Sequence, residues 1–367
     1  MEGWTGGQYS LYRAVFGLYL FAHFVLAFDD TPVAASILIS IGAVAALGFT
    51  LGLHDRLAAV LISSILFVRS SLFGRDPLLA GPSLLFLIVV CLFLLLHALL
   101  PRSPYGSWSA RGRTDPRGTW RMPRGLFVAA WVVLAVAYAY SAYTKLLSPS
   151  FRDLPLAAPT SVRQFATWAA LALELLYAPL ALSRRARPWI WTAMAVVHLG
   201  RVVFVDSAGL SAAMAIVHLL TFDPRWVPAR WSERRDRFFY DGTCGLCHRA
   251  TRFVLSEDVP GTAFTFAPLQ GDTFAAIVAS DQRAALPDSV VVRTEAGELL
   301  ARSDAVIYVL QRLGGLWRVI AAGLLLAPSS LRNMAYTFVA RIRHRVFARE
   351  TTSCPLLPAD LRSRFQS

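Results

Sequence analysis

The feature that most constrains this chain is a succession of long apolar runs that fills most of residues 1–222. They read as Leu11–Phe28, Pro32–Leu53, Leu57–Phe73, Ser83–Leu100, Leu126–Leu147, Phe165–Leu182, Pro188–Val205 and Leu210–Phe222. Several approach the roughly 20 residues a helix needs to cross a bilayer. The last run is the shortest, and it reads as spanning, as re-entrant, or as extended by its polar flanks. A chain that is 56% hydrophobic and only 16% charged is too apolar for an ordinary soluble protein. The N-terminal run has neither a basic start nor a small-residue cleavage site, so it reads as a span and not as a signal peptide. The predicted fold class is an α-helical polytopic membrane bundle of about eight spans over residues 1–226. A basic linker, 227–236, and a small α/β thioredoxin-like domain, 237–367, follow it.

Loop charge gives an orientation. The net charge is +13. Arg102, Arg111, Arg113, Arg117, Arg121 and Arg124 follow the fourth run against one acid, Asp115. Arg184, Arg185 and Arg187 follow the sixth, and Arg225, Arg230, Arg234, Arg235 and Arg237 the last. The alternate loops hold Asp29-Asp30, Arg75-Asp76, the mixed Lys145–Arg163 segment and Asp206. An even number of spans puts every basic loop on one side. The positive-inside rule then makes both termini cytoplasmic in a multi-pass cell (inner) membrane protein. The basic excess is thereby accounted for without nucleic acid, for which no basic-aromatic motif is present.

Ionisable side chains inside the runs cost roughly 2.5–3.5 kcal/mol each at a span centre for Arg, Lys or Asp. They are His23, Arg69, His97, Lys145, Glu174, His198, Arg201 and His218. His198 and Arg201 lie one helical turn apart and share a face, with Glu174 on the preceding span as countercharge. Such a pair either fixes helix packing or serves a site. Lys145, His198 and His218 can titrate and handle protons, though Lys145 is near a span end and can also snorkel to the interface. Tyr138, Tyr140 and Tyr143 precede it on the same span.

After the linker, Arg237–Tyr240 reads as a strand and Asp241-Gly-Thr-Cys-Gly-Leu-Cys-His248 as a turn into a helix. Thr243 is the predicted N-cap. A thiol there meets unpaired N–H groups and the positive end of the helix dipole, which favour thiolate. Cys244 is the predicted nucleophile and Cys247, one turn on, the resolving thiol. Asp241 acts as a proton carrier near the thiols or as a turn carboxylate accepting backbone N–H groups. Strands over Ala263–Ala267, Pro287–Arg293 and Glu298–Ala301 are predicted to alternate with helices over Phe274–Ala284 and Ser303–Leu313. Apolar Leu316–Ala327 and basic, amphipathic Leu331–Phe347 complete the module. The latter suits an anionic membrane surface or the cytoplasmic loops of this same chain. Four cysteines are too few for a secreted disulfide framework. Cys244-Gly-Leu-Cys-His248 also matches c-type haem attachment, but cytoplasmic placement and the strand-turn-helix setting oppose that. Zinc held by Cys244, Cys247, His248 and Cys354 lacks a second close ligand pair, so no metal is assigned. Cys354 reads equally as a third redox thiol or as inert.

Two resemblances follow from these residues. Ala139-Tyr-Ser-Ala-Tyr-Thr-Lys145, Glu174–Pro179, His198, Ser211–His218 and Pro101–Ser109 resemble the membrane domain of vitamin K-dependent gamma-carboxylases, within the HTTM group, over roughly residues 8–226. That resemblance implies Lys145 as base towards a quinone-like lipid such as menaquinone or vitamin K hydroquinone. His198, Arg201, Glu174, His218 and Tyr143 would line the substrate site. The long lumenal portion of the carboxylases is absent, and Ala-Tyr-Thr stands before the lysine where that family tends to have a glycine. Separately, Tyr240–Cys247, Phe266-Ala-Pro-Leu-Gln270, Ser303–Val306, Leu313–Trp317, Tyr336, Ala340–Arg343 and Cys354–Pro358 resemble the DCC family of thiol-disulfide oxidoreductases. The combined expectation is a membrane redox enzyme passing electrons between a CxxC and a quinone, with the bilayer and a thiol-containing protein or peptide as partners. The alternative is a non-catalytic scaffold for peptide export or maturation with redox-sensing thiols. The charge map sets Lys145 and the CxxC on opposite sides of a hydrocarbon core about 30 Å thick, which strains the first expectation.

Overall fold

The structure is a computed structural model that describes residues 3–28, 32–73, 84–104, 106–107, 117–148, 160–204, 208–230, 232, 234–346 and 359–366. Asp29, Asp30, Arg75, Asp76, Arg111, Arg113, Asp115, Asp206 and Cys354 lie outside the described residues. The chain separates into two compact units. One comprises Tyr9–Arg113 and Met122–Asp223, the other Met1–Gln8, Thr114–Arg121 and Pro224–Ser367.

The first unit is helical: α1 (Gly6–Leu26), α2 (Val33–Leu51), α3 (Asp55–Phe73), α4 (Leu84–Ala98), α5 (Arg124–Leu147), α6 (Thr160–Leu182), α7 (Arg187–Phe204) and α8 (Ala208–Leu219). These occupy the predicted apolar runs. Among the described residues, four of them, α1, α2, α5 and α6, are long and apolar enough to cross a membrane. Of the rest, α4 and α8 are 15 and 12 residues long, and α3 and α7 carry charges such as Arg69 and Arg201. The four helices suggest membrane association; eight spans go beyond what they show. The faces of α5 make the same point. Ala130, Trp131, Leu134, Ala137, Tyr138, Ser141 and Ala142 are buried. On the opposite side Val128, Val132, Val136, Tyr140, Tyr143 and Leu147 are exposed. Their spacing makes one stripe, and a long exposed apolar stripe suits lipid better than water.

Burial of charge inside this unit is organised around Asp55. Its Oδ1 accepts from Ser103 Oγ at 3.0 Å and from the Arg56 amide at 3.1 Å. Its Oδ2 accepts from Ser107 Oγ at 3.2 Å, with Arg13 and His97 at 3.6 and 3.5 Å. Glycine is required beside it: α2 ends at Gly52 with φ +71°. A Cβ there would also sit 2.6 Å from both Arg13 Nη1 and Ser107 Cα.

The second unit carries β1 (Asp236–Tyr240), α9 (Gly245–Glu257), β2 (Phe264–Pro268), α10 (Asp272–Ile277), α11 (Ser280–Ala285), β3 (Val291–Arg293), β4 (Leu299–Ala301), α12 (Arg302–Leu313), α13 (Gly315–Leu325), α14 (Ser329–Val346) and α15 (Ala359–Arg362). The sheet order is β2-β1-β3-β4, with β1 and β2 parallel and the other pairs antiparallel. Period-two alternation sends Phe238, Tyr240, Phe264, Phe266 and Val292 into one core with Val254, Leu255 and Val309. Phe239, Ala267 and Val291 face the other way, onto Phe274 and Val278. The single helix predicted over Phe274–Ala284 is two, because Val278 leaves helical geometry to enter that second core. The tail closes the free edge of β2. The Phe266 amide donates to Arg364 O at 2.8 Å and the Gln366 amide to Phe266 O at 2.9 Å, while Phe365 stacks on Phe266.

Two buried carboxylates hold this unit. Asp236, 0% exposed at the foot of β1, accepts from Arg312 Nε (2.7 Å), Tyr308 Oη (3.1 Å) and the Glu295 amide (2.8 Å). Burial, and then the Asp236 charge, push the Tyr308 hydroxyl up to about 12. Glu257, at the end of α9, accepts from the Gly7 amide (3.0 Å), Trp317 Nε1 (2.6 Å) and the Thr5 hydroxyl. The Asp236→Ala variant strands the Arg312 guanidinium, a change of the kind that costs roughly 3–5 kcal/mol. We expect the denaturant midpoint at which Cys244 becomes accessible to a thiol reagent to fall markedly, and an unchanged midpoint would refute the role given to Asp236.

Candidate dithiol site

The chain leaves β1 at Tyr240, turns over 241–243 and enters α9. Cys244, not the predicted Thr243, is the N-cap, with extended φ −98° and ψ 116°. The Thr243 hydroxyl is spent on the turn: it and its own amide each donate to Asp241 Oδ1 at 2.9 Å. Gln270 completes the brace. Its Nε2 donates to the same oxygen at 3.0 Å, and its Oε1 accepts from the Gly242 amide at 3.1 Å. His248 Nε2 lies 2.8 Å from Gly242 O, so that carbonyl fixes the proton on this nitrogen. Asp241 is thus built as a turn carboxylate. Burial pushes its carboxyl up, but the Thr243 amide and hydroxyl, Gln270 and Arg343 together hold it below the usual carboxylate range.

Cys244 is buried, at 1% exposed, while Cys247 is half-buried. Burial pushes the Cys247 thiol up to about 12, and its hydrogen bond to Cys244 and the charge of that neighbour add to the rise. Arg343 and the Asp241 backbone oppose it. That rise disfavours thiolate at Cys247, the form that attack on a disulfide needs.

Sequence reasoning gave no role to the groups that α14 brings to this site. Arg343 Nη2 reaches the Asp288 carboxylate at 2.7 and 2.9 Å and Asp241 Oδ2 at 3.5 Å. Burial pulls its guanidinium down, but Asp288 and the two cysteines raise it above its ordinary value. Tyr336, seven residues earlier on the same face, accepts from the Val290 amide at 3.0 Å. The available signal was the helical spacing Tyr336, Ala340, Arg343.

The other predicted site residues lie in the helical unit. Glu174 Oε1 accepts from Lys145 Nζ. Tyr138 Oη is 2.7 Å from His198 Nε2, and His218 Nε2 is 2.9 Å from Trp191 O. The two histidine rings are 6.0 Å apart. Arg201 is half-buried one turn beyond His198. Tyr143 stands apart, 58% exposed on the outer stripe of α5. Among the described residues, no group of three or more His, Cys, Asp or Glu gathers in a way that could hold a metal ion.

Residues 238–349 match the DCC1-like thiol-disulfide oxidoreductase family. The uncharacterized protein YuxK of Bacillus subtilis is 31% identical over 130 residues, which cover 34% of this chain and 90% of YuxK. A chloroplastic DCC family protein of Arabidopsis thaliana is 28% identical over 124 residues, 34% of this chain and 71% of its own length. No solved structure matches the chain. The electrostatics of the pair make a direct prediction. In the Cys244→Ala variant Cys247 loses two of the influences that raise it, so its titration midpoint should fall below about 12. Alkylation rate against pH measures this, and an unmoved or higher midpoint would show that the thiols do not couple.

Proposed function

Because the chain belongs, through residues 238–349, to the DCC1-like thiol-disulfide oxidoreductase family, we propose that it is a membrane-associated enzyme whose Cys244–Cys247 pair reduces or forms disulfides. The observation that carries this is the placement of the pair, with Cys244 at the N-cap of α9 directly after β1 and Cys247 in the first turn, hydrogen-bonded to Cys244. The thiolate of Cys244 attacks one sulfur of a substrate disulfide. A mixed disulfide forms and the other substrate sulfur leaves as thiolate. Cys244 then no longer carries negative charge, so the charge that held Cys247 up is gone and Arg343 acts on it against burial alone. Cys247 loses its proton to solvent or to the departed thiolate and attacks Cys244 Sγ. The intramolecular disulfide closes and the second substrate thiolate leaves. Two electrons have passed from protein to substrate, and the reverse sequence oxidises a dithiol. The strand order β2-β1-β3-β4, with the thiols after β1, supports a thioredoxin-type reading of the module.

The test is reduction of a small disulfide by the reduced full chain. Cys244→Ser should abolish it, and Cys247→Ser should stall as a trapped mixed disulfide visible by mass. Turnover by either variant at the normal rate would overturn the proposal. Arg343→Ala should move the resolving step to higher pH by on the order of one unit, since a positive charge that lowers Cys247 is lost. Arg343→Lys should restore part of the shift, and a profile unchanged in both variants would remove Arg343 from the chemistry.

A finer reading extends to the helical unit. Lys145–Glu174 and Tyr138–His198 are paired proton-handling groups, which supports the handling of a quinone-like lipid there. Dithiol-dependent quinone reduction lost in Lys145→Ala, with small-disulfide reduction retained, is the outcome this requires. The arginine distribution supports cytoplasmic termini. A periplasm-dependent reporter fused after Ser367 should then be inactive, and its activity would reverse the orientation.

A further inference from the structure

Helix α14 has two unlike faces. One packs on the dithiol module through Asn333, Tyr336 and Arg343: Asn333 Oδ1 accepts from Ser303 Oγ at 2.7 Å, and Tyr336 and Arg343 have the partners given above. The other exposes Leu331, Met334, Phe338 and Val339, spaced as a single helical stripe, with Phe338 63% exposed. The preceding α13 is built the same way. Leu316, Trp317 and Ala321 are buried, while Val319, Leu324, Leu325 and Leu326 are exposed, Leu326 to 88%. The two stripes adjoin at the Leu326–Ser329 connection. Residues 315–346 hold five arginines and no acidic residue. Arg332 and Arg343 are engaged by Asp304 and Asp288, and Arg341 and Arg345 are exposed.

We propose that the outer faces of α13 and α14 lie in the headgroup–acyl boundary of an anionic bilayer, with their leucines and Phe338 among the upper acyl segments and Arg341 and Arg345 on lipid phosphates. Three observations select lipid over a protein partner. The two helices carry five arginines and no acidic residue of their own, a balance that complements an anionic leaflet. At 1.5 Å per residue the 11 residues of α13 extend about 16 Å, too short to span and suited to lying flat. The same chain carries four helices long and apolar enough to cross a membrane, so α13 and α14 are tethered to a bilayer at high effective concentration. The proposal rests on membrane association and not on the thiol chemistry.

The experiment uses the full chain in vesicles, with Phe338→p-benzoylphenylalanine as a photo-crosslinker and Ala296→p-benzoylphenylalanine, in the exposed β3–β4 turn, as the control position. Vesicles are phosphatidylcholine with phosphatidylglycerol, or phosphatidylcholine alone. A phospholipid adduct is expected at 338, severalfold more abundant with phosphatidylglycerol, and none at 296. Adding Arg341→Glu and Arg345→Glu should bring the yield down to that in phosphatidylcholine alone. Small-disulfide reduction, followed in the same vesicles, reads the fold and the thiol chemistry separately. No lipid adduct at 338, an equal yield in both lipids, or an adduct to protein in its place overturns the proposal.

Discussion

The thiol module depends on one buried ion pair. Asp236 begins β1, one of the two inner strands of the sheet. There its carboxylate gathers α12 through Arg312 and Tyr308, and the β3–β4 turn through the Glu295 amide. Its own amide donates to Ala263 O just before β2. A bare carboxylate at this depth would be prohibitive. With these donors it becomes the point from which the direction of β1 is set. That direction delivers Tyr240, the braced turn and the dithiol to one end of the sheet. Asp236 does no chemistry, yet the position of Cys244 follows from it.

The reactive end shows a different use of charge. Asp241 is kept ionised by donors that also shape the turn, so it belongs to the scaffold more than to proton transfer. Arg343 arrives from a helix about a hundred residues later in the chain and supplies the positive charge that the turn lacks. With acids on one side of it and thiols on the other, the guanidinium is held by Asp288 and Asp241 in the place where it can act on sulfur. The rise at Cys247 needs no separate device, since burial and the neighbouring Cys244 produce it.

How much of this was legible in the sequence follows from which interactions are local. The strand-turn-helix around Cys244 and Cys247 was readable because apolar alternation, a Gly-containing turn and helical spacing are all short-range. The N-cap was misread by one residue, since Thr243 has two possible uses for its hydroxyl and the nearby Asp241 claimed it. The break at Val278 was invisible because no glycine or proline marks it; only the core on the far face of the sheet does. Arg343 was hidden by sequence distance and by its company, one arginine among several on a basic helix. In the helical unit, Glu174 was matched to Arg201 by helical logic, and its charge does act on Arg201; its hydrogen bond from Lys145 was not foreseen. Tyr143, named as a site residue through the carboxylase resemblance, lies on the outer stripe, three residues beyond exposed Tyr140.

Glu257 bears on where this protein can be divided. The family match begins at residue 238, which invites treating the dithiol module as separable there. Yet the carboxylate at the end of α9 accepts from the Thr5 hydroxyl and the Gly7 amide, both at the N-terminal end of the sequence. A cut at the family boundary removes both of these donors from the helix whose first turn carries the thiols. The module is thus a discontinuous folding unit. Its N-terminal strip is synthesised first and waits roughly two hundred and fifty residues for its acceptor, so the redox end of the protein completes itself only after the helical segments between have left the ribosome.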